Sequence, residues 1–126
     1  MRRCRIPDRE IVEAFAAAVE SNDHVGAIER FYAPDASTRE NQSEPRRGRD
    51  VLAAREAATL ARFAKVETTR LSPIFVSGDH SAIHWRFEFT PANGPSKVME
   101  EVAMQTWRGN ELIAEQFFYD PAQMKG

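Results

Sequence analysis

The polar and apolar positions divide this chain into a helical first half and a β-rich second half. Ile11, Phe15, Ala18 and Val19 recur at helical spacing, so residues 8–20 read as an amphipathic helix. Pro7 and Asp8 mark its start, with Asp8 placed to cap the first free N–H groups. Ser21, Asn22 and Asp23 break that helix and cap the next one. Val25, Ile28, Phe31 and Tyr32 form one face of this second helix, which Pro34 stops. Residues 36–42 are polar and extended, and Pro45 forces the preceding residue out of regular structure. Residues 50–64 form a third helix, with Leu52, Leu60 and Phe63 as its larger apolar residues.

Beyond that point the period changes. Residues 66–77 are β-rich and broken at Pro73, which marks an edge position or a bulge. Gly78 and Asp79 signal a hairpin turn. Residues 81–90 alternate clearly, residues 91–95 are a loop, and residues 97–107 and 112–119 are strands joined by a turn at Gly109 and Asn110. Three helices before a meander of antiparallel strands predict an α+β fold, with the helices on one face of a curved sheet. There is no internal repeat, low-complexity segment or linker.

Two features of the strands bear on function. In residues 81–90 one face carries Ile83, Trp85, Phe87 and Phe89, and the other His84, Arg86 and Glu88. Alternation by itself favours the aromatics in the core and the charges in water. The other placement puts the charges in a cavity and the aromatics on a subunit interface, because an exposed aromatic stripe has to be covered. The strands at 97–107 and 112–119 have no cleanly polar face, and a sheet covered on both sides in so small a chain predicts a dimer. The second feature is Glu40, a carboxylate on a strand expected to be half-buried. Such a group needs a partner or a raised pKa, which is one way a fold makes a general acid or base.

Composition narrows the classes. The 126 residues fit one domain. Hydrophobic residues at 42% and charged residues at 29% are ordinary for a globular protein. With a net charge of −2, nothing draws the chain to nucleic acid or an anionic membrane. Arg2, Arg3 and Arg5 read as a solvated tail. The single cysteine, Cys4, allows no internal disulfide, and the N-terminus shows no secretory pattern, so a cytoplasmic location is expected. His24, His80 and His84 are not grouped for metal binding, and no glycine-rich loop suggests a phosphate site; no cofactor is expected.

The element order, together with Phe31, Tyr32, Ala33, Pro34, Asp35 and Ala36, the Gly48, Arg49 and Asp50 opening of the third helix, and the closing Phe117, Phe118, Tyr119 and Asp120, resembles the SnoaL-like branch of the nuclear transport factor 2-like superfamily over essentially the whole chain. The resemblance implies a cone: a curved sheet wrapped on helices, a cavity between them, and pairing through the sheet. The superfamily includes ketosteroid isomerases, polyketide cyclases, limonene-epoxide hydrolases, dehydratases and non-catalytic members, so it specifies fold better than activity. Glu40 stands where the isomerases have their catalytic base, but Phe15 and Ala103 stand where they have their two acidic donors. Residues 83–89 are similar to the epoxide-hydrolase strand bearing an arginine and an acid two residues apart, here Arg86 and Glu88. The rest of that water-holding set corresponds to Thr38, Glu40 and Phe117, with its second acid absent. This similarity implies that His84, Arg86 and Glu88 face the cone, against the alternation argument.

The resulting expectation is a cavity for a small, largely apolar organic molecule, with general acid–base chemistry of isomerase, cyclase or hydrolase type. Glu40 is the expected base, Arg86 stabilises negative charge or pairs with Glu88, and His84 relays a proton. Glu115 and Tyr119 orient the ligand, Thr38 and Gln105 also belong to its binding set, and Phe15, Tyr32, Phe63, Trp107 and Phe117 supply the apolar wall. Trp85, Phe87 and Phe118 are expected in a homodimer interface. The rival expectation is a non-catalytic ligand-binding or dimerisation module, in which Arg86, Glu40 and Glu88 form a neutralised network.

Overall fold

The structure, a computed structural model, describes residues 6–125, so Arg2, Arg3, Cys4 and Arg5 lie outside it. Two helices, α1 (Arg9–Glu20) and α2 (His24–Phe31), lead into strand β1 (Tyr32–Glu40). A two-residue strand, β2 (Arg46–Arg47), precedes α3 (Arg49–Leu60). Then follow β3 (Lys65–Arg70), β4 (Phe75–Ser77), β5 (His80–Thr90), β6 (Lys97–Arg108), β7 (Glu111–Phe118) and a closing 3-10 turn (Pro121–Met124). One curved, open sheet runs in the order β2-β1-β7-β6-β5-β3, with β4 also pairing β5. The helices pack on its concave side, so the α+β cone expected from the sequence is the fold observed.

Pro73 separates β3 from β4, and both pair antiparallel with β5. The meander β5–β6–β7 is antiparallel throughout, but β1 joins β7 in parallel. Pro34 does not simply end α2: it lies inside β1, in the stretch between Tyr32 and Ser37 where the register with β7 shifts. A proline has no N–H to give a ladder, and such an irregularity accommodates it. Asp23 caps α2, its carboxylate accepting from the Gly26 N–H at 3.1 Å. Asp8 sits at the cap of α1 but makes no side-chain cap bond. Instead its N–H donates to Asn110 Oδ1 at 2.9 Å, tying α1 to the β6–β7 turn. Gly48, at φ 101°, opens α3 in a backbone region that favours glycine.

The core lies between α1 and the sheet. Val12, Phe15 and Ala16 meet Ile83, Trp85, Trp107 and Leu112, all nearly or fully excluded from solvent. Phe15 makes edge-on contacts with Trp107 and Phe31, with centroids 5.8 and 5.7 Å apart. No helix among the described residues is long and apolar enough to cross a membrane.

The phase of β5 differs from the one adopted above. Ile83, Trp85 and Phe87 point into the cone, while His84, Arg86 and Glu88 stand on the convex face. Burying a large apolar side chain contributes about 1.5–3 kcal/mol. Because side chains alternate strictly, one residue of slip would exchange all of these aromatics for charges. Hydrophobic burial therefore sets the phase, and the similarity to the epoxide-hydrolase strand does not extend to where its side chains point. Trp85 and Phe87, buried within one chain, are not available to a partner surface.

Candidate functional site

A cavity of ≈ 220 Å³ lies between the three helices and the concave sheet. Phe15 and Val19 of α1 and Ile28 of α2 form one wall. Trp85, Phe87 and Phe89 of β5, with Met99 of β6 and Phe117 of β7, form the other. Four carboxyl groups reach it from four elements: Glu40 on β1, Glu56 on α3, Glu101 on β6 and Glu115 on β7. No lysine or arginine is among its lining residues.

Glu115 is held at the end of a buried, directional chain. The Trp107 indole N–H donates to Ser81 Oγ at 2.9 Å, and Ser81 Oγ donates to Gln105 Oε1 at 2.6 Å. Gln105 Nε2 then donates to Glu115 Oε2 at 2.7 Å. The indole N–H can only donate, which leaves the Ser81 hydroxyl hydrogen for Gln105 Oε1. Gln105 Nε2 also donates to the Ala103 carbonyl at 3.3 Å, which holds the amide NH2 toward Glu115. The other carboxylate oxygen, Oε1, accepts from the Tyr32 hydroxyl. Burial pushes the Glu115 carboxyl up to about 7, against the opposing pull of the donors Tyr32 and Gln105. Burial, then the Glu115 charge, pushes the Tyr32 hydroxyl well above its usual range. When Glu115 takes a proton, Gln105 has no freedom to turn round. The Tyr32 hydroxyl does, so Oε1 is the oxygen that can carry the proton.

Glu101 differs from Glu115 in having no partner. It is 7% exposed, lines the cavity, and has no hydrogen bond or ion pair among the described residues. Burial, reinforced by the charges of Glu115, Glu40 and Glu56, pushes its carboxyl well above the usual carboxylate range. At the exposed edge, Glu40 accepts from the Tyr119 hydroxyl. Burial and then that bond push the Tyr119 hydroxyl up to about 12. On the α2 side, His24 Nε2 lies 2.8 Å from Thr68 Oγ1 and Nδ1 lies 3.3 Å from Glu56 Oε2. Its ring meets Phe87 edge-on.

Of the residues singled out from the sequence, Phe15, Tyr32, Glu40, Glu115, Phe117 and Tyr119 come together at this cavity. Gln105 and Trp107 are buried behind Glu115 and do not line it. Thr38, opposite Glu115 in the β1–β7 register, and Phe63, stacked against Phe89 at 5.0 Å, also lie outside the lining. His84, Arg86 and Glu88 are on the other side of the sheet, where His84 Nε2 is 3.1 Å from Glu100 Oε1 and Arg86 Nη1 is 3.7 Å from Glu88 Oε1. None of the three lines the cavity, so the relay and charge-stabilising roles expected of them have no geometric basis.

Glu101, Glu56, His24 and Trp85 were missed as cavity residues. A signal existed for two of them. Glu101 alternates with Ala103, Gln105 and Trp107 on one face of β6, an acid on an otherwise uncharged face. Glu56 is spaced four residues from both Leu52 and Leu60 on α3.

The sequence matches the SnoaL-like domain family over residues 12–116, most of the chain. The chain belongs to the SnoaL-like family. No curated protein matches it significantly in sequence. Among solved structures, a protein from Mesorhizobium loti named as a SnoaL-like polyketide cyclase is 24% identical, with 87% of this chain and 97% of that one covered and a TM-score of 0.74. A protein with a ketosteroid isomerase-like fold from Catenulispora acidiphila, solved in complex with trimethylamine, is 23% identical over 91% of this chain and 88% of that one, with a TM-score of 0.75. TerC, co-crystallised with polyporic acid, is 15% identical over 90% of this chain and 91% of that one, with a TM-score of 0.73. At these identities the likeness is one of fold. Within this SnoaL-like chain, chemistry has to be argued from the cavity itself.

Proposed function

We propose that this SnoaL-like protein binds a small, largely apolar organic molecule in the cavity and moves a proton on it. One observation carries the reading: Glu115, a fully buried carboxyl at the cavity wall, is locked by two donors and raised to about 7. A group half-ionised at neutral pH is suited to general acid–base work, and its fixed orientation aims that chemistry. Glu101 meets the polar end of the ligand, and the aromatic wall takes the apolar body. Glu40, at the edge and held by Tyr119, orients the ligand and is not the base. The fold's occurrence with small organic ligands, as in TerC with polyporic acid, supports the binding half of the reading.

The test is C–H exchange in D2O, followed by NMR. Small carbonyl compounds, with and without an amine substituent, are incubated with protein. Protein-dependent exchange of a C–H beside the carbonyl, rising with pH through about 7 and absent in Glu115→Gln, is the expected result. Binding detected by saturation transfer with no exchange for any compound would leave the non-catalytic carrier.

A homodimer through the convex face belongs to the same proposal. Phe75, Val98, Val102 and Met104 stand exposed there at 59%, 37%, 41% and 44%, with Phe118 half-buried beside Val102 in register. A second copy would cover this apolar stripe. Sedimentation is expected to give a dimer at micromolar concentration, and Met104→Glu a monomer. A wild-type monomer would remove the dimer and leave the cavity reading untouched.

A further inference from the structure

The charges around the cavity do not balance. Four carboxyl groups face a space whose lining, among the described residues, holds no lysine or arginine and has His24 as its sole basic side chain. Its ring nitrogens are already engaged by Glu56 and Thr68. Proteins avoid gathering like charges in a low-dielectric site unless something compensates them. Glu115 has Tyr32 and Gln105, Glu40 has Tyr119, and Glu56 has His24. Glu101 has no partner among the described residues, although it is one of their more deeply buried charged side chains.

The surroundings of Glu101 are aromatic. In the β5–β6 ladder it lies directly opposite Trp85, with Met99 and Phe87 as the next pair on the same face. Trp85 and Phe87 lie with ring centroids 6.3 Å apart, and Phe87 and Phe89 6.1 Å apart, so three rings follow one another along the wall. Aromatic faces attract cations and contribute most where water is excluded. An unpartnered carboxyl beside a run of ring faces is complementary to a positive charge spread over alkyl groups. It is a poor match to an anion, which would meet four acids.

We propose that the ligand of this cavity is an organic ammonium, a small molecule whose alkylated, positively charged nitrogen pairs with Glu101 while its apolar body lies along Trp85, Phe87 and Phe89. This rests on the reading of the cavity as a small-molecule site. It adds the chemical class of the ligand and makes Glu101 its counter-ion. In the empty site burial and the neighbouring acids favour the protonated form of Glu101. A quaternary ammonium displaces that proton to solvent, whereas a tertiary amine arriving neutral takes the proton itself and becomes the cation. Binding of a permanent cation therefore releases a proton and strengthens as pH rises. The charged and titratable groups that face Glu101 are Glu40 and Tyr32 on β1, Glu56 on α3, His24 on α2, Glu115 on β7 and Tyr119 just beyond it, with Arg46 near Tyr119.

The experiment compares three probes of similar shape: benzyltrimethylammonium, its neutral isostere neopentylbenzene, and the anion phenylacetate. Binding is read from Trp fluorescence and confirmed by saturation-transfer NMR, at about pH 6 and about pH 8. The ammonium is expected to bind about tenfold or more tighter than the neutral isostere at the higher pH, with a smaller preference at the lower. In Glu101→Gln the preference should be lost while neopentylbenzene binds within about twofold of wild type. The probe series on the unaltered protein decides the matter even if that variant folds poorly. Neopentylbenzene or phenylacetate binding as tightly as the ammonium at both pH values overturns the ammonium proposal and leaves the small-molecule reading standing. Failure of all three probes to bind overturns both.

Discussion

Glu115 offers the sharpest quantitative check, because its environment couples stability to pH. Its carboxyl rises from an ordinary 4.5 to about 7 in the folded chain, with burial as the main cause. At ~1.4 kcal/mol per pKa unit, that interval is worth about 3 kcal/mol. The group is fully buried, so solvent screening does not dilute the figure. The sign follows from which state binds the proton more tightly, and here it is the folded state. Below the unfolded value of about 4.5 both states hold the proton and the contribution is fully present. As pH rises through about 7 the folded chain must ionise a buried group, and the contribution is lost.

The perturbation is Glu115→Gln, which keeps the shape and removes the titration. Its amide oxygen can accept from Gln105 Nε2 while its NH2 donates to the Tyr32 hydroxyl oxygen, so what the exchange costs is a pH-independent offset. That offset cancels when wild type and variant are each unfolded in urea at about pH 5 and about pH 8 and the two differences are compared. Wild type should lose about 2–3 kcal/mol more than the variant between these pH values, a relative midpoint shift on the order of 1–2 M urea. Removing the Glu115 charge also eases ionisation of Glu101, which acts in the same direction. Parallel pH profiles for the two proteins would refute the buried-carboxyl account and, with it, the choice of Glu115 as the proton-exchanging group.

Three further outcomes test other parts of the structure. Tyr32→Phe removes a donor that stabilises the ionised carboxyl, so Glu115 should titrate higher still, as read from its side-chain carboxyl resonance by NMR. Trp107→Phe takes away the bond that orients Ser81 and Gln105; a loss of about 1–3 kcal/mol on thermal unfolding is expected, with an altered Glu115 titration. Arg86→Ala, on the convex face, should change stability by about 0.5 kcal/mol or less and leave cavity binding of benzyltrimethylammonium unchanged; abolished binding would show that the phase of β5 is wrong.

What the sequence made legible is what local pattern controls. The breaks at Asn22, Pro73 and Gly78 come from residues with strong backbone preferences, and each boundary falls within a few residues of the expected place. The parallel pairing of β1 with β7 was not legible, because it joins residues 77 to 80 positions apart and nothing local encodes it. The third helix ends at Leu60, four residues before the expected position 64: its apolar face is thin, and only tertiary contact sets its end. The phase of β5 is the instructive case. Strict alternation pointed to buried aromatics, and a similarity to one functional subgroup pointed the other way. The physical argument held because three large aromatics and Ile83 contribute more to a core than an arginine and an acid can recover by pairing there. Glu40, the acid expected to be half-buried, is exposed and held by Tyr119, and the buried acids are Glu101 and Glu115.

The strand phase also decides the electrostatics of the site. With Arg86 inside, the cone would carry its own counter-charge, and the acids would form a closed, silent network. With Arg86 outside, the sheet delivers Glu101 and Glu115 to a cavity whose described lining holds no lysine or arginine, and burial favours the protonated form of both. That arrangement disfavours the folded state increasingly as pH rises, and a bound cation would relieve it. Mass action then requires a linked effect: a ligand that binds only the folded, ionised site stabilises it, and does so more at high pH. Thermal unfolding with benzyltrimethylammonium in excess is expected to show a larger gain in Tm at about pH 8 than at about pH 6. A gain that is equal at both, or larger at the lower pH, would mean that the acids remain protonated with the cation bound. The attraction would then come from the ring faces of Trp85, Phe87 and Phe89 alone.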